Sequence, residues 1–265
     1  MIIEHLPLDV QVSPWEHPMS FPGVEHLRYG IDGGAGEDWA LAWPGERSTW
    51  VVHLHGHGST GDQLFTRRDV RELWLSRYRA AGLGVLALNL RGNAWMCPAA
   101  VEDLRRLLAW VREAYGAREF YLLSGSMGGT SNLIYAALHP EDVAAVMALC
   151  PATDVGSYAT WLREHPGGVR DDILAAIVAA YGGTPAEQPA RYAAHSALRL
   201  AERLTMPLLL SHGDADDLIP IEQSRQLAAA LGNASNLTYV EIPGGGHDAP
   251  LNHEATLAWM NTLGI

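Results

Sequence analysis

The stretch 122–130 reads LLSGSMGGT and places two serines, Ser124 and Ser126, between an apolar run and a predicted helix. A serine at a tight strand-to-helix turn can attack a carbonyl carbon, because the turn holds its hydroxyl exposed. The pattern is close to G-x-S-x-G, but a serine stands at its first position. By itself it also fits a glycine-rich helix start without chemistry, because short patterns carry a false-positive risk.

The sizes of the neighbouring residues distinguish the two serines. At a nucleophile turn the residues two before and two after the tip approach closely, so both must be small. With Ser124 at the tip they would be Leu122 and Ser126, and leucine is too large. With Ser126 at the tip they are Ser124 and Gly128. We therefore expect Ser126 to be the nucleophile.

A base and an acid for this serine are available near the ends of two later predicted strands. The segment 212–220, HGDADDLIP, follows one strand, and 243–248, PGGGHD, follows the next. A histidine oriented by an aspartate takes the proton of a serine nucleophile. We expect His247 in its flexible glycine loop to be the base, with His253 as a rival. The candidate acids are Asp214, Asp216, Asp217 and, after an earlier strand, Asp154.

The loop 53–59, HLHGHGS, could stabilise negative charge on the substrate. A glycine-rich loop lets backbone N–H groups point at a developing oxyanion. We expect the donors to be the N–H groups of His57 and of Met127, which directly follows Ser126. The three alternating histidines also suggest a metal site, but no aspartate or cysteine accompanies them locally. A hydrogen-bonding role for His55 beneath the loop is the better interpretation.

Alternating strands and helices must position these residues. Strands are predicted at 24–31, 38–45, 49–56, 83–90, 119–123, 143–150, 206–213 and 237–242. Helical periodicity marks 62–81, 98–115, 127–138, 221–231 and 251–262. The first two strands form an antiparallel pair around the turn 32–36, whereas the later alternation indicates a mostly parallel sheet with helices on both faces. Ligands bind beyond the carboxyl ends of such strands.

Two segments depart from this alternation. The proline-rich residues 1–23 are predicted to be an arm on the surface. Residues 151–205 are far longer than an ordinary connection and contain helical pieces near 155–164, 169–181 and 190–203. We expect this insert to be a helical cap over one end of the sheet, because it is too small to bury a core of its own. The whole chain, 1–265, is then a single domain.

The order Ser126, aspartate, His247 and the motif HGDADDLIP resemble the α/β-hydrolase superfamily, in particular the catalytic domain of prolyl-oligopeptidase-type hydrolases. The motif resembles H-G-x-x-D-x-x-V-P, and this register implies that Asp216 is the catalytic acid. The loop 55–58 is similar to the HGGG-type loop of esterases. The resemblance implies an α/β fold of about eight strands, with the cap between the sixth and seventh. Serine at position 124 departs from the pattern, and about 45 N-terminal residues cannot form a propeller.

These features together predict a serine hydrolase that needs no metal and no organic cofactor. The favoured activity is a carboxylesterase acting on short acyl or aryl esters, including acetyl or feruloyl esters of sugars. The alternatives are a propeller-less aminopeptidase or amidase, and a catalytically silent binding protein. Trp95 and Met96 after the fourth strand and Tyr158 and Trp161 of the cap are expected to line the substrate pocket, although ordinary packing explains them equally well.

Composition excludes several other classes. The chain has 18 basic and 30 acidic residues in 265, a formal charge of −12, which disfavours nucleic acid or an anionic membrane as a partner. Two cysteines, Cys97 and Cys150, imply no disulfide framework. The N-terminus has no signal-peptide pattern, and no run of 18 apolar residues occurs. We expect a cytoplasmic protein whose partner is a small ester, with the oligomeric state left open.

Overall fold

The computed structural model describes residues 8–19, 21–34 and 36–265. In these ranges nine strands form one sheet in the order β1-β2-β3-β5-β4-β6-β7-β8-β9. The strands are β1 (Val10–Pro14), β2 (Glu25–Ile31), β3 (Gly36–Trp43), β4 (Thr49–Leu54), β5 (Gly84–Leu88), β6 (Glu119–Gly125), β7 (Ala145–Leu149), β8 (Leu208–Gly213) and β9 (Leu237–Ile242). The pairs β1–β2, β2–β3 and β3–β5 are antiparallel, and the remaining pairs are parallel. The fold is α/β with a mostly parallel sheet, as predicted.

One strand more is present than the eight predicted. It is β1, which lies in the segment 1–23 that the sequence predicts to be a surface arm. β1 pairs with β2 at the sheet edge, with Val10 opposite Tyr29. Four of its five residues are exposed, so no alternation of apolar residues marks it as a strand in the sequence. The predicted pair formed by β2 and β3 is present. Residues 1–7, residue 20 and Ala35 of the turn lie outside the described residues.

Helices cover both faces of the sheet. They are α1 (Gln63–Thr66), α2 (Arg68–Val70), α3 (Ser76–Ala80), α4 (Pro98–Tyr115), α5 (Met127–Leu138), α6 (Val155–Glu164), α7 (Val169–Tyr181), α8 (Pro189–Ala194), α9 (Glu222–Leu231) and α10 (Glu254–Thr262). The predicted helix 62–81 is interrupted at Arg67, whose backbone is extended, and contains a π-helical turn, Arg71–Leu75. Short 3₁₀ turns occupy Asp32–Gly34, Pro140–Asp142, Ala201–Arg203 and Ala249–Asn252.

The side chains of the central strands alternate between two apolar layers. In β4, Val52 and Leu54 pack into the layer that contains α4 and α5, whereas Val51 packs into the layer with Trp74 and Trp259. Burial on both faces explains why the strands appear in the sequence as nearly continuous apolar runs.

The insert between β7 and β8 is helical, as expected for a cap. Its helices α6, α7 and α8 bury one face each, through residues such as Tyr158, Ile177 and Tyr192. These side chains join the same apolar layer as α4 and α5. The cap is therefore anchored to the sheet by shared packing. Among the described residues, no helix is long and apolar enough to cross a membrane.

Candidate active site

Three side chains from three different strand ends form a hydrogen-bonded chain. Ser126 Oγ lies 2.9 Å from His247 Nε2. On the other side of the ring, His247 Nδ1 lies 2.7 Å from Asp216 Oδ2. Ser126 follows β6, Asp216 follows β8 and His247 follows β9, so the parallel strands bring all three to one edge of the sheet. Since a carboxylate only accepts, Nδ1 carries the proton, which leaves Nε2 free to accept one from Ser126.

The backbone at Ser126 has a conformation that a non-glycine residue rarely adopts. Its φ is 57° and its ψ is −130°. The N–H of Ser126 donates to Leu149 O at 2.8 Å, which helps to hold the turn. A Cβ atom on Gly128 would come within 2.0 Å of Leu54 O and 2.8 Å of Ser124 Cβ. Both positions flanking the tip must therefore be small, as argued from the sequence.

Ser124 does more than fit into this turn. Its side chain is fully buried, and its Oγ accepts a hydrogen bond from the backbone N–H of Leu54 at 2.9 Å. Leu54 is the last residue of β4, immediately before the histidine-rich loop. The serine thus connects the turn that carries Ser126 to the loop predicted to hold the oxyanion.

In the loop after β4 some backbone N–H groups are already bonded, whereas that of His57 has no partner among the described residues. The N–H of Gly56 donates to Gln63 Oε1 at 3.0 Å, and the N–H of Gly58 donates to Asn93 Oδ1 at 2.9 Å. The N–H groups of His57 and Met127 make no hydrogen bond within the part of the chain that is described. A Cβ on Gly56 would lie 3.9 Å from Ser126 Cβ, so the loop borders the nucleophile.

The three histidines of this loop do not converge on one point. The ring nitrogens of His55 lie 2.8 Å from Gly56 O and 3.0 Å from Asn89 O. His53 Nδ1 lies 3.1 Å from Leu123 O, and burial lowers the pKa of this imidazole to about 4. His57 Nδ1 accepts from the indole N–H of Trp95 at 3.3 Å. Each ring therefore has its own partner.

A model of the alpha/beta hydrolase fold family matches residues 49–172. The matched span runs from β4 into α7 and includes the turn of Ser126. The chain therefore has the α/β-hydrolase fold.

Known proteins similar to this chain include two curated enzymes. It is 28% identical over 223 residues to the esterase LipQ of Mycobacterium tuberculosis, across 77% of this chain and 51% of that protein. It is 30% identical over 186 residues to a monoacylglycerol lipase of Mycolicibacterium smegmatis, across 57% of this chain and 66% of that protein. The chain spans about half the length of LipQ.

A solved structure supports the same fold. The puromycin-hydrolyzing peptidase of Mycobacterium tuberculosis superposes with a TM-score of 0.63 at 22% identity, across 86% of this chain and 36% of that one. At this level of identity the likeness concerns the fold alone.

Asp216 is held as an anion by four hydrogen bonds. Its Oδ1 accepts from the N–H groups of Leu218 and Ile219 at 2.8 Å and 3.0 Å. Its Oδ2 lies 3.1 Å from His212 Nε2, which also lies 2.9 Å from Ile219 O, and it lies near His247 as well. Burial alone would raise the pKa of Asp216, but the bonds from His212 and His247 lower it below its ordinary value.

His212 is a residue whose role was missed in the sequence. It is fully buried, and its Nδ1 lies 2.7 Å from Ser224 Oγ, which orients the ring. Its spacing of four residues before Asp216 in HGDADDLIP was the available signal. We infer that it positions the carboxylate.

Cys150 is the second residue that sequence analysis did not connect to the site. It follows β7, has a positive φ of 44°, and places its Sγ 4.0 Å from His247 Nε2. Burial lowers the pKa of His247, but the neighbouring Cys150 and Asp216 outweigh burial, so that pKa lies above its ordinary value.

The rival acids and base have other partners. Asp154 accepts from Ser157 N at 2.7 Å, which caps α6, and from Ser196 Oγ at 2.7 Å. Asp214 accepts from Gly244 N at 2.6 Å, and Asp217 is exposed. His253 Nδ1 accepts from Ala255 N and caps α10.

The residues expected to bind substrate are mainly packing residues. Trp95 and Met96 are each only 1% exposed and border a narrow void beside Met127. Tyr158 is fully buried, stacks on Trp161 at 6.1 Å and donates to Leu218 O at 3.1 Å. None of the four lines the cleft beside Ser126, and their contact with a substrate stays a prediction.

The cleft beside Ser126 has different walls. It encloses about 330 Å³, counting the part open to solvent. Its lining includes Val70, Trp74 and Leu251 on the apolar side, and Gln63, Arg67 and Asp248 on the polar side. Arg67 Nη2 lies 3.1 Å from Asp248 Oδ2 and 2.8 Å from Asp69 Oδ2, so its charge is already paired.

Proposed function

We propose that this protein is a serine esterase that cleaves carboxylic esters through an acyl-enzyme intermediate. The observation that carries the proposal is the chain of hydrogen bonds from Ser126 through His247 to Asp216. The strained backbone of Ser126 and the free N–H groups of His57 and Met127 support it. The names of the two curated relatives, an esterase and a monoacylglycerol lipase, favour an ester substrate.

In the proposed mechanism Ser126 Oγ attacks the ester carbonyl carbon, while its proton moves to His247 Nε2. Asp216 stabilises the resulting imidazolium, and the N–H groups of His57 and Met127 donate to the oxyanion. The imidazolium then protonates the leaving alcohol, and Ser126 retains the acyl group. A water that gives its proton to His247 hydrolyses this ester and regenerates the serine.

The cleft argues for a small acyl group. Its volume of about 330 Å³ includes space that is open to solvent, so the enclosed part is small. Val70, Trp74 and Leu251 offer a short apolar wall, and the ion pair of Arg67 with Asp248 also lines the cleft. A neutral short acyl or aryl ester, including an acetyl or feruloyl ester of a sugar, fits these walls better than a long chain.

A substrate panel tests this proposal. We expect p-nitrophenyl acetate and butyrate to be cleaved faster than the decanoate, and all of them faster than aminoacyl p-nitroanilides. Ser126→Ala should remove hydrolysis of every ester while far-ultraviolet circular dichroism stays unchanged. Faster cleavage of the anilides would favour the aminopeptidase or amidase alternative. Fluorophosphonate labelling of Ser126 without any turnover would reject the substrate class, and hydrolysis by Ser126→Ala would reject the site.

A further inference from the structure

Cys150 is a buried free thiol for which the proposed mechanism has no task. Its Sγ lies 4.0 Å from His247 Nε2, the atom that accepts the proton of Ser126. Cys150 also lines the same cleft as Ser126, so a small ion that enters the cleft reaches both side chains.

The side-chain atoms near Cys150 Sγ are of the kinds that bind zinc in proteins. Ligand atoms of Cys150, Asp216 and His247 all lie within 4.8 Å of one another. Zn²⁺ prefers thiolate sulfur and imidazole nitrogen, and a metal-bound histidine usually donates its other N–H to a carboxylate. His247 already donates from Nδ1 to Asp216 Oδ2 at 2.7 Å, and its Nε2 faces Ser126, which lines the cleft.

We propose that this corner of the cleft binds a thiophilic divalent cation, Zn²⁺ or Cd²⁺, between Cys150 Sγ and His247 Nε2, and that binding inhibits the enzyme reversibly. Zinc bonds of about 2.3 Å to sulfur and about 2.0 Å to nitrogen at a tetrahedral angle separate the two ligands by about 3.5 Å. The observed 4.0 Å requires only a small rotation of the thiol.

The remaining coordination positions are also available. Ser126 Oγ, 2.9 Å from Nε2, and a water in the cleft can complete four ligands. When the ion binds, the thiol proton of Cys150 is released to solvent and the lone pair of His247 Nε2 coordinates the metal. Nε2 then cannot accept the proton of Ser126, so hydrolysis stops until the ion leaves.

A cadmium titration tests the site independently of turnover. Bound Cd²⁺ should produce the ultraviolet thiolate-to-cadmium absorption with one ion per chain. Cys150→Ser should abolish this absorption, and Cys97→Ser is the matched control that should retain it, because Cys97 precedes α4 and does not border the cleft. No absorption in the wild-type chain, or its loss in Cys97→Ser alone, overturns the proposal. This readout holds even when the chain proves not to be an esterase.

Two further measurements complete the test. Zn²⁺ should inhibit ester hydrolysis, and Cys150→Ser should raise the half-inhibiting concentration by more than about tenfold. X-ray absorption of the zinc-loaded wild-type protein, which needs no variant, should give one sulfur at about 2.3 Å. A zinc shell of oxygen and nitrogen alone, or equal inhibition of the wild type and Cys150→Ser, overturns the proposal.

Discussion

The hydroxyl of Ser124 accepts a hydrogen bond from the backbone N–H of Leu54 at 2.9 Å. This bond joins the turn that presents Ser126 to the end of β4, from which the loop of His57 departs. A glycine at position 124 would leave that buried N–H without its partner. The departure from G-x-S-x-G therefore has a structural consequence for both parts of the site.

Ser124→Ala should lower the free energy of unfolding by about 1–3 kcal/mol, because it leaves a buried donor unpaired. Urea denaturation measures the change. The matched control is Ser211→Ala on β8, whose buried hydroxyl has no partner among the described residues and should be removable at little cost. Equal effects of the two substitutions would mean that the bond from Leu54 does not stabilise the fold.

Asp216→Asn should lower kcat by about 10³-fold or more, because an amide no longer holds the Nδ1 proton of His247. Asp217→Asn is the control, since its exposed side chain should tolerate the change with kcat nearly unaltered. Steady-state hydrolysis of p-nitrophenyl acetate measures both. Comparable mild losses would assign the acid to another residue, and Asp154 would be the first to test.

His212→Phe should reduce kcat by about tenfold or more, because Asp216 loses a charge-assisted hydrogen bond of about 1.5–3 kcal/mol. His212→Gln, which places an amide donor near the same atom, should recover part of that loss. The measurement is kcat and KM for the two variants beside the wild type. A change in KM alone would contradict a role in positioning the carboxylate.

The activity should increase with pH with a midpoint above about 6.5, the ordinary value for histidine. Protonated His247 cannot accept the proton of Ser126, and its pKa is raised by Cys150 and Asp216 against the effect of burial. Activity is therefore lost as pH falls through this raised value. A profile of kcat/KM against pH measures it, with circular dichroism at each pH to exclude unfolding. A flat profile, or a midpoint below 6.5, would argue against His247 as the base.

Local patterns in the sequence were sufficient for the order of the elements from β2 onward, apart from the break at Arg67, and for the choice between the two serines. The apolar runs identified the central strands β4, β5, β7 and β8, because burial on both faces leaves a continuous signal. The size of Leu122 excluded Ser124 as the nucleophile without any coordinates. The resemblance of HGDADDLIP to a family motif implied Asp216, the aspartate that bonds His247 in the folded chain. Such rules work because they depend on residues that are near neighbours in the chain.

Only the tertiary structure decided which other side chains surround these residues. Cys150 lies close to His247 although 97 positions separate them in the sequence, and Leu54 bonds Ser124 although 70 positions separate them. The cleft walls come from α2, the π-helical turn and the segment after His247, whereas Trp95 and Tyr158 are buried away from it. The edge strand β1 likewise depends on pairing with β2. Contacts between distant segments follow from how the layers pack, and no local pattern of residue types encodes that packing.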